Sequence, residues 1–221
     1  MNSGFVGPLV NLLLSGRKYK LVKKQIVQTT EDRPIMNLVH SGYVRRYLIT
    51  PEGSLGVQVV YGPGDIFPVT LALKNFFNQP MTRDGEVFYY EAMCDSEVFT
   101  IEVEKLVEAV KTHPLIYRDL LNETGKRLHS TLQGLENVTL RSSYKRLAHQ
   151  LAYFAERFGE NTPEGTKIKI PLTHQELANI LSVTRETVST SMIELREKSL
   201  IVNSKQHLIV PNLSKLQKVY L

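Results

Sequence analysis

Cysteine and long apolar runs are scarce in this sequence, and their scarcity excludes several kinds of protein. Cys94 is the single cysteine among 221 residues, so no internal disulfide can form and no cysteine set can hold zinc or an iron–sulfur cluster. No apolar run reaches the roughly 18 residues that a membrane helix needs. Residues 1–20 carry no basic residue before their short apolar stretch, so we expect no signal peptide. These features predict a cytoplasmic protein that does not contact the membrane.

Catalytic motifs are also missing. The sequence has no Gly-x-Ser-x-Gly, no His-Glu-x-x-His and no phosphate-binding glycine-rich loop ending in Lys-Ser. The histidines are scattered along the chain, at His40, His113, His129, His149, His174 and His207. Haem sites need a suitable axial pair, and metal-dependent jelly-roll enzymes need clustered ligands. We therefore expect no enzyme and no metal or cofactor, with a cupin-like jelly-roll enzyme as the alternative class.

Positive charge is concentrated toward the C-terminus. The formal net charge is +5. From Tyr144 onward, 11 lysines and arginines stand against 7 acidic residues, whereas residues 1–143 have 16 and 15. A basic C-terminal third suits a polyanionic partner such as DNA, although ordinary solubility explains the same distribution.

Short strands dominate the N-terminal half. Two apolar runs, 43–50 and 55–61, flank the turn-forming Pro-Glu-Gly-Ser, which predicts a hairpin. Gly-Pro-Gly-Asp at 62–65 predicts another turn, and 86–102 reads as two further strands broken near Asp95. Many short strands at this spacing favour a β-barrel or a double-sheet jelly roll.

The pattern becomes helical after Glu102, with a break at Pro114 and a long helix over 114–142. Leucines recur at spacings of seven, four and three residues on one narrow stripe: Leu121, Leu128, Leu132 and Leu135. Such a stripe is typical of a helix that pairs with a second helix. Packing on the barrel of its own chain is the alternative, and we favour a dimer interface.

A third segment, 143–221, opens with an amphipathic helix that Gly159 ends, followed by a predicted loop at 160–166 and a short strand at 167–170. Thr173 and Glu176 predict a capping box at the start of the next helix. Thr184 is the predicted N-cap of a second helix, in which apolar residues recur at helical spacing to define the buried side: Val188, Met192 and Leu195. Two apolar runs at 200–210 predict a β-hairpin wing.

The second helix therefore presents polar residues at its first turn, which is typical of a helix-turn-helix. Arg185 and Glu186 fall on the outward side, with Ser189 and Thr190 beyond them. Arginine can donate two hydrogen bonds to guanine, and glutamate can accept from cytosine N4. A surface ion pair is the plainer interpretation of Arg-Glu alone, but the capping box, the turn and the wing in this order favour DNA reading.

The chain resembles the cyclic-AMP receptor protein and fumarate-nitrate regulator (CRP/FNR) family of bacterial transcription regulators. The resemblance rests on LTHQELANILSVTRETVS at 172–189 and on GPGDIF at 62–67. Within the first segment, Arg185-Glu-Thr-Val188 stand where family members contact the DNA bases, and the start of this second helix is called the reading head below. It implies an α+β fold in three parts: an N-terminal jelly-roll β-barrel of the cyclic-nucleotide-binding type over 1–113, a dimerisation helix over 114–142, and a C-terminal winged helix-turn-helix over 143–221. It also implies a homodimer that binds palindromic double-stranded DNA and contacts RNA polymerase. The expected DNA-binding residues are Thr173, His174, Thr184, Arg185, Glu186, Thr187, Ser189, Thr190 and Lys205. A regulator subunit that binds a protein partner is a further alternative.

Departures from the family pattern concern the effector. The glutamate that holds the ribose in nucleotide-binding members corresponds to Val69, and the arginine-serine pair that holds the phosphate corresponds to Glu86 and Val87. On the long helix the nucleotide-contacting Thr-Ser pair corresponds to Thr131 and Leu132. A carboxylate facing a phosphate is repulsive, so we expect cyclic AMP and cyclic GMP not to bind in the usual way.

Another small organic effector is compatible with the same region, as are plain core packing and operation without an effector. The candidate effector pocket comprises Tyr61, Phe67, Phe88, Tyr90, Glu91 and Thr131. A last departure lies in the reading head, where relatives carry a second arginine at the position of Thr190; a threonine there can contact a thymine methyl or make no base contact.

Overall fold

The computed structural model describes residues 7–27, 34–49, 53, 55–70, 88–140, 142–204 and 207–221. The chain forms two compact units. One comprises Met1–Leu48 with Gln58–His129, and the other comprises Ile49–Val57 with Ser130–Leu221. Among the helices within the described ranges, none has both the length and the apolar character needed to cross a bilayer.

The N-terminal strands form two four-stranded sheets within the described residues, in the orders β1-β8-β3-β6 and β2-β7-β4-β5. The strands are β1 Arg17–Leu21, β2 Ile26–Val27, β3 Ile35–Ser41, β4 Val44–Ile49, β5 Leu55–Tyr61, β6 Ile66–Phe67, β7 Tyr89–Ala92 and β8 Ser96–Glu102. Helices α1 (Pro8–Leu14) and α2 (Val103–Thr112) flank them. This double-sheet arrangement confirms the predicted roll, and β5 has the predicted bounds.

Glycines form the corners of the roll that sequence reasoning assigned to turns. Gly53 has φ 80° and Gly64 has φ 90°, a backbone region that favours glycine because it has no Cβ. In the second turn, the amide of Gly62 donates to Oδ2 of Asp65 at 2.7 Å. The remaining residues of the predicted Pro-Glu-Gly-Ser turn lie outside the described residues.

Two apolar clusters hold the roll together. One lies between the sheets, where side chains from both sheets are buried: Leu21, Val39, Val44, Tyr61, Phe67, Tyr90, Ala92 and Val98. The other covers the outer face of the first sheet, where α1, α2 and the start of the next helix pack on β3, β6 and β8. Val69 belongs to this second cluster.

The long helix α3 spans Leu115–Thr139, 25 residues, directly after Pro114. Proline restrains the residue before it and cannot continue a preceding helix, so the break falls there as predicted. The division between the two compact units falls inside α3, after His129. Ile116 and Leu120 are buried in the cluster outside the first sheet, so one stripe of α3 packs on its own roll.

The C-terminal residues form helices and a small sheet. The helices are α4 Ser143–Phe158, α5 His174–Leu181, α6 Arg185–Glu197 and α7 Leu213–Gln217. The strands are β9 Gly159–Thr162, β10 Gly165–Ile168, β11 Val202–Ser204 and β12 His207–Val210, and their order is β11-β12-β10-β9. Helix α6 packs against α4 and α5, which confirms a winged helix-turn-helix.

The loop predicted at 160–166 is wrong, because most of it belongs to the hairpin of β9 and β10. Gly165 begins β10 at φ 129°, and a Cβ at that position would meet the carbonyl oxygen of Val210 at 2.4 Å. Polar residues fill β9, an edge strand, so no apolar alternation marks it in the sequence.

Candidate nucleic-acid interface

The capping box predicted at the start of α5 is present. Oγ1 of Thr173 accepts from the amide of Glu176 at 3.1 Å, and Oε2 of Glu176 accepts from the amide of Thr173 at 2.7 Å. Two amides of the first turn are therefore satisfied by side chains. This reciprocal pair fixes where the helix begins and so places His174 at its first position.

The turn between α5 and α6 is short and well defined. Ser182 caps α5 in the left-handed region at φ 52°. Thr184 is the N-cap of α6, as predicted, and its Oγ1 accepts from the amide of Thr187 at 3.2 Å. The guanidinium of Arg146 on α4 donates a short hydrogen bond to the carbonyl of Leu181 at the end of α5. The orientation of α6 is thus set from the turn and from the helix behind it.

Burial along α6 separates two sides as the sequence predicted. Val188, Met192 and Leu195 are buried, whereas Arg185 and Glu186 are exposed. The inner side seals against α4 and α5. The first turn of α6 therefore presents a guanidinium and a carboxylate to solvent, which is the geometry that base reading in a major groove requires.

Ser189 and Thr190, which follow the first turn, have their hydroxyls tied to the helix backbone. Oγ of Ser189 donates to the carbonyl of Arg185 at 2.9 Å, and Oγ1 of Thr190 donates to the carbonyl of Glu186 at 3.1 Å. Each hydroxyl has one hydrogen, so neither retains a donor for an outside partner. Thr190 is exposed and Ser189 is half-buried.

His174 connects the two helices. Its Nδ1 lies 2.8 Å from Oγ of Ser189. Because that hydroxyl gives its hydrogen to Arg185, Nδ1 of His174 is the donor, and Nε2 carries the lone pair in the neutral ring. Burial lowers the pKa of His174, and the positive charges of Arg196 and Arg185 lower it further.

The wing stands beside the two helices. Asn203 pairs with Leu208, and Ser204 pairs with His207. Lys205 lies outside the described residues. A shallow cleft runs between α5, α6 and the wing, lined by Ile170, Leu172, His174, Leu177, Met192, Asn203, His207 and Leu208.

Ile193, which is not among the predicted site residues, is 49% exposed on α6. Residues three, four or seven apart share a helix face, and Ile193 follows Thr190 by three residues and Glu186 by seven. The same helical spacing that assigned Val188, Met192 and Leu195 to the buried side would have placed Ile193 on the outward stripe.

The leucines predicted as a dimer interface are exposed on α3. Leu121, Leu128, Leu132 and Leu135 have exposed fractions between 49% and 73%. Val138 continues the stripe and is also exposed. Since Ile116 and Leu120 are buried, α3 carries two apolar stripes, one in contact with its own roll and one open to solvent.

The aromatic residues of the candidate effector pocket are packed together. Phe67 stacks on Tyr90 at 5.1 Å between ring centroids and lies 5.0 Å from Tyr61. Burial raises the pKa of Tyr61. The guanidinium of Arg127 lies 4.3 Å from the Tyr61 ring centroid, and that of Arg46 lies 4.0 Å from that of Phe88. These rings belong to the core of the roll, with two arginines at its margin.

The expectation that Glu91 faces the same interior as Tyr90 is wrong. Successive residues of a strand point to opposite faces, and β7 alternates between half-buried and buried positions. Oε1 of Glu91 instead accepts from Nη2 of Arg45 at 2.7 Å, on the neighbouring strand. Thr131 lies in the other compact unit and is exposed. Glu86 and Val87 lie outside the described residues.

A β-roll joined to a winged helix-turn-helix defines a class of DNA-binding regulators. Residues 145–219 match the family model of the Crp-like helix-turn-helix domain. The global nitrogen regulator of Synechocystis sp. is 26% identical over 73% of this chain and 74% of its own length.

Solved structures share the fold over nearly the whole chain. A CooA mutant from Carboxydothermus hydrogenoformans superposes with a TM-score of 0.75 at 24% identity, covering 98% of this chain and 93% of the other. FixK2 from Bradyrhizobium japonicum gives a TM-score of 0.74 at 17% identity, covering 93% and 97%. Residues 145–219 are thus similar to the Crp-like helix-turn-helix domain, and most of the chain is similar in sequence to a global nitrogen regulator and in fold to CooA and FixK2.

Proposed function

We propose that the protein is a homodimeric regulator that binds a palindromic DNA site through α6. The observation that carries this proposal is the exposure of Arg185 and Glu186 on a helix whose other side is buried. In this role Arg185 donates to guanine O6 and N7, and Glu186 accepts from cytosine N4. The remaining contacts position the protein on the phosphate backbone, from Thr173, His174, Thr184 and Thr187, with Lys205. Ser189 acts through His174, whose ring it orients by accepting from Nδ1.

Two copies meet along the open leucine stripe of α3. Pairing of the two α3 helices buries the four leucines, and the twofold symmetry of the dimer gives it two copies of α6 for binding DNA. Recognition helices of such dimers enter successive major grooves about 34–36 Å apart. The site is therefore a palindrome with half-sites about one duplex turn apart.

The roll, assigned to 1–113, acts as the sensor, with the α3 segment 114–142 as the dimerisation helix and 143–221 as the reading domain. Val69 is buried in an apolar cluster where nucleotide-binding members place a ribose-holding glutamate. Cyclic AMP and cyclic GMP are therefore not its effectors. A different small molecule beside Tyr61, Phe67, Phe88 and Tyr90 is the candidate, and the protein works in the cytoplasm with RNA polymerase.

The relatives include global nitrogen regulators and a probable transcriptional activator, which favours this function over a jelly-roll enzyme. The reading head also favours it over a subunit that binds only protein, because Arg185 and Glu186 suit base edges at the position where a recognition helix enters DNA.

The decisive experiment is a footprint of the purified protein on genomic DNA, followed by affinity measurements on the recovered site and on a scrambled site. Arg185→Ala should weaken binding to the recovered site by about 1–3 kcal/mol, and its specificity at one base pair should relax. Fluorescence anisotropy at constant salt measures both affinities.

Arg196→Ala is the matched control, since it removes the same charge from the last turn of α6. We expect it to weaken both sites together and to leave their ratio intact. An unchanged ratio in the Arg185→Ala variant would contradict the role assigned to Arg185.

A further inference from the structure

The outward stripe of α6 changes from charged to apolar beyond its first turn. Glu186, Thr190 and Ile193 follow one another at spacings of four and three residues, so they share one face of the helix. Glu186 and Thr190 are exposed, and Ile193 is 49% exposed. A single exposed isoleucine is ordinary on a protein surface, but this one continues the stripe that carries the base-reading glutamate.

Thr190 presents a methyl group on this stripe. Its Oγ1 donates to the carbonyl of Glu186, one turn back along the helix. The hydrogen of the hydroxyl is used inside the helix, so Thr190 offers no donor to a base. With Oγ1 turned back to the helix, the Cγ2 methyl is the other branch of this exposed side chain.

An apolar surface in a major groove matches one base in particular. Thymine carries a C5 methyl there, and apolar side chains recognise it by contact. Along the helix, Thr190 and Ile193 lie roughly 6 Å and 10 Å beyond Glu186. Base pairs are spaced 3.4 Å apart, so the two side chains reach roughly two and three base pairs from the one that Glu186 contacts.

We propose that Thr190 and Ile193 form an apolar pair that selects thymine by its methyl group, in place of a hydrogen-bonded guanine. The inference rests on the proposed function, since it requires α6 to lie in the major groove. It assigns thymines to the half-site at the positions roughly two and three base pairs from the one that Glu186 contacts, and it makes Ile193 a specificity-determining residue.

Deoxyuridine provides the test, because it differs from thymidine only by the missing methyl. Each thymine of the footprinted half-site is replaced singly, and affinities are measured for the wild type, Thr190→Ser and Ile193→Ala. Thr190→Ser removes the Cγ2 methyl and keeps the hydroxyl. Loss of one buried methyl contact should weaken wild-type binding by about fourfold at the two assigned positions and not elsewhere.

Each variant should abolish the deoxyuridine effect at its own position and keep it at the other. Arg185→Ala, as a control, should keep both effects. The proposal is overturned if the half-site has no thymine at these positions, if the wild type does not discriminate deoxyuridine, or if both variants retain the full effect. Equal affinity of the wild type for specific and scrambled DNA would instead refute the proposed function. Unchanged binding to scrambled DNA shows that the variants are folded.

Discussion

At the scale of single residues, the tautomer of the neutral His174 ring follows from one hydroxyl group. Ser189 gives its hydrogen to the carbonyl of Arg185, so it can only accept from Nδ1 of His174. The lone pair on Nε2 of the neutral ring repels an anion, whereas the protonated ring donates from both nitrogens. If His174 contacts a phosphate, as proposed, then binding favours the charged ring.

We therefore expect DNA affinity to rise as the pH falls. Burial, Arg196 and Arg185 lower the pKa of His174 in the free protein, and a phosphate raises it in the complex. The added affinity is complete below the pKa of the free protein and is lost as the pH rises through the higher pKa of the complex. Each unit between the two pKa values is worth about 1.4 kcal/mol. Anisotropy titrations from pH 5.5 to 8 at constant salt measure it.

His174→Gln is the matched variant, since glutamine can donate to Ser189 but cannot gain a charge. Its affinity should vary less with pH than that of the wild type. His207 lines the same cleft, so His207→Gln tests whether the neighbouring ring is responsible. A pH slope that survives in His174→Gln and disappears in His207→Gln would move the assignment to the wing.

Residue-scale predictions from the sequence succeeded where the partners are close along the chain. Thr173 with Glu176, and Thr184 with Thr187, lie three residues apart, and local spacing determines such contacts. The predicted orientation of Glu91 was wrong because its partner, Arg45, is 46 residues away on another strand. Strand pairing over that distance depends on the tertiary fold, which periodicity in one segment does not report.

At the scale of elements, the 25 residues of α3 are long enough to carry two apolar stripes with different contacts. Ile116 and Leu120 hold it on the roll, while the open stripe leaves Leu121, Leu128 and Leu135 at intervals of seven residues. A repeat of seven keeps the same face toward a partner helix over several turns. The sequence located this stripe, but it could not separate dimer pairing from packing on the roll, because both bury leucine at helical spacing.

Leu128→Glu should convert the dimer to a monomer. Each buried leucine contributes about 1.5–3 kcal/mol, a twofold interface loses it on both subunits, and the two carboxylates then face each other across the seam. Sedimentation equilibrium should show the dimer dissociation constant rising by at least about 100-fold.

Asn122→Glu introduces the same charge at an exposed position on the same helix, away from the stripe, and should leave the dimer intact. A dimer that persists in the Leu128→Glu variant would place the interface elsewhere. Melting curves of the two variants compare their folding, since both substitutions are on the surface.

The hairpin of β9 and β10, unlike the helices, could not be predicted from the local sequence pattern. Helices α5 and α6 carry caps and an apolar period, so the residue at which each begins was predicted correctly. Strand β9 is polar along its length and is recognised only by its pairing with β10. Local pattern is therefore sufficient for the reading helices and insufficient for the strands that support them.

At the scale of the whole molecule, residues 145–219 match the Crp-like helix-turn-helix model, whereas the roll carries the apolar Val69 at the position expected for the ribose-holding glutamate of nucleotide-binding relatives. Val69 is buried among apolar side chains, and Phe67, Tyr61 and Tyr90 fill the space between the sheets. A ribose hydroxyl placed against this surface would lose its hydrogen bonds to water without replacement, which costs free energy. We therefore expect cyclic AMP not to bind in this roll as it binds in a regulator that it activates.

Cyclic AMP at millimolar concentration should leave the melting temperature of the protein unchanged. A ligand that binds only the folded state at 100 times its dissociation constant adds about 2.7 kcal/mol, which for a chain of this size raises the melting temperature by roughly 5–11 °C. Differential scanning fluorimetry resolves such a shift. The cAMP-activated global regulator of Mycobacterium tuberculosis, 24% identical to this chain, is the positive control in the same assay. A rise here comparable to that of the control would mean that the roll binds the nucleotide through residues other than those at the family positions, and Val69 would then no longer argue against it.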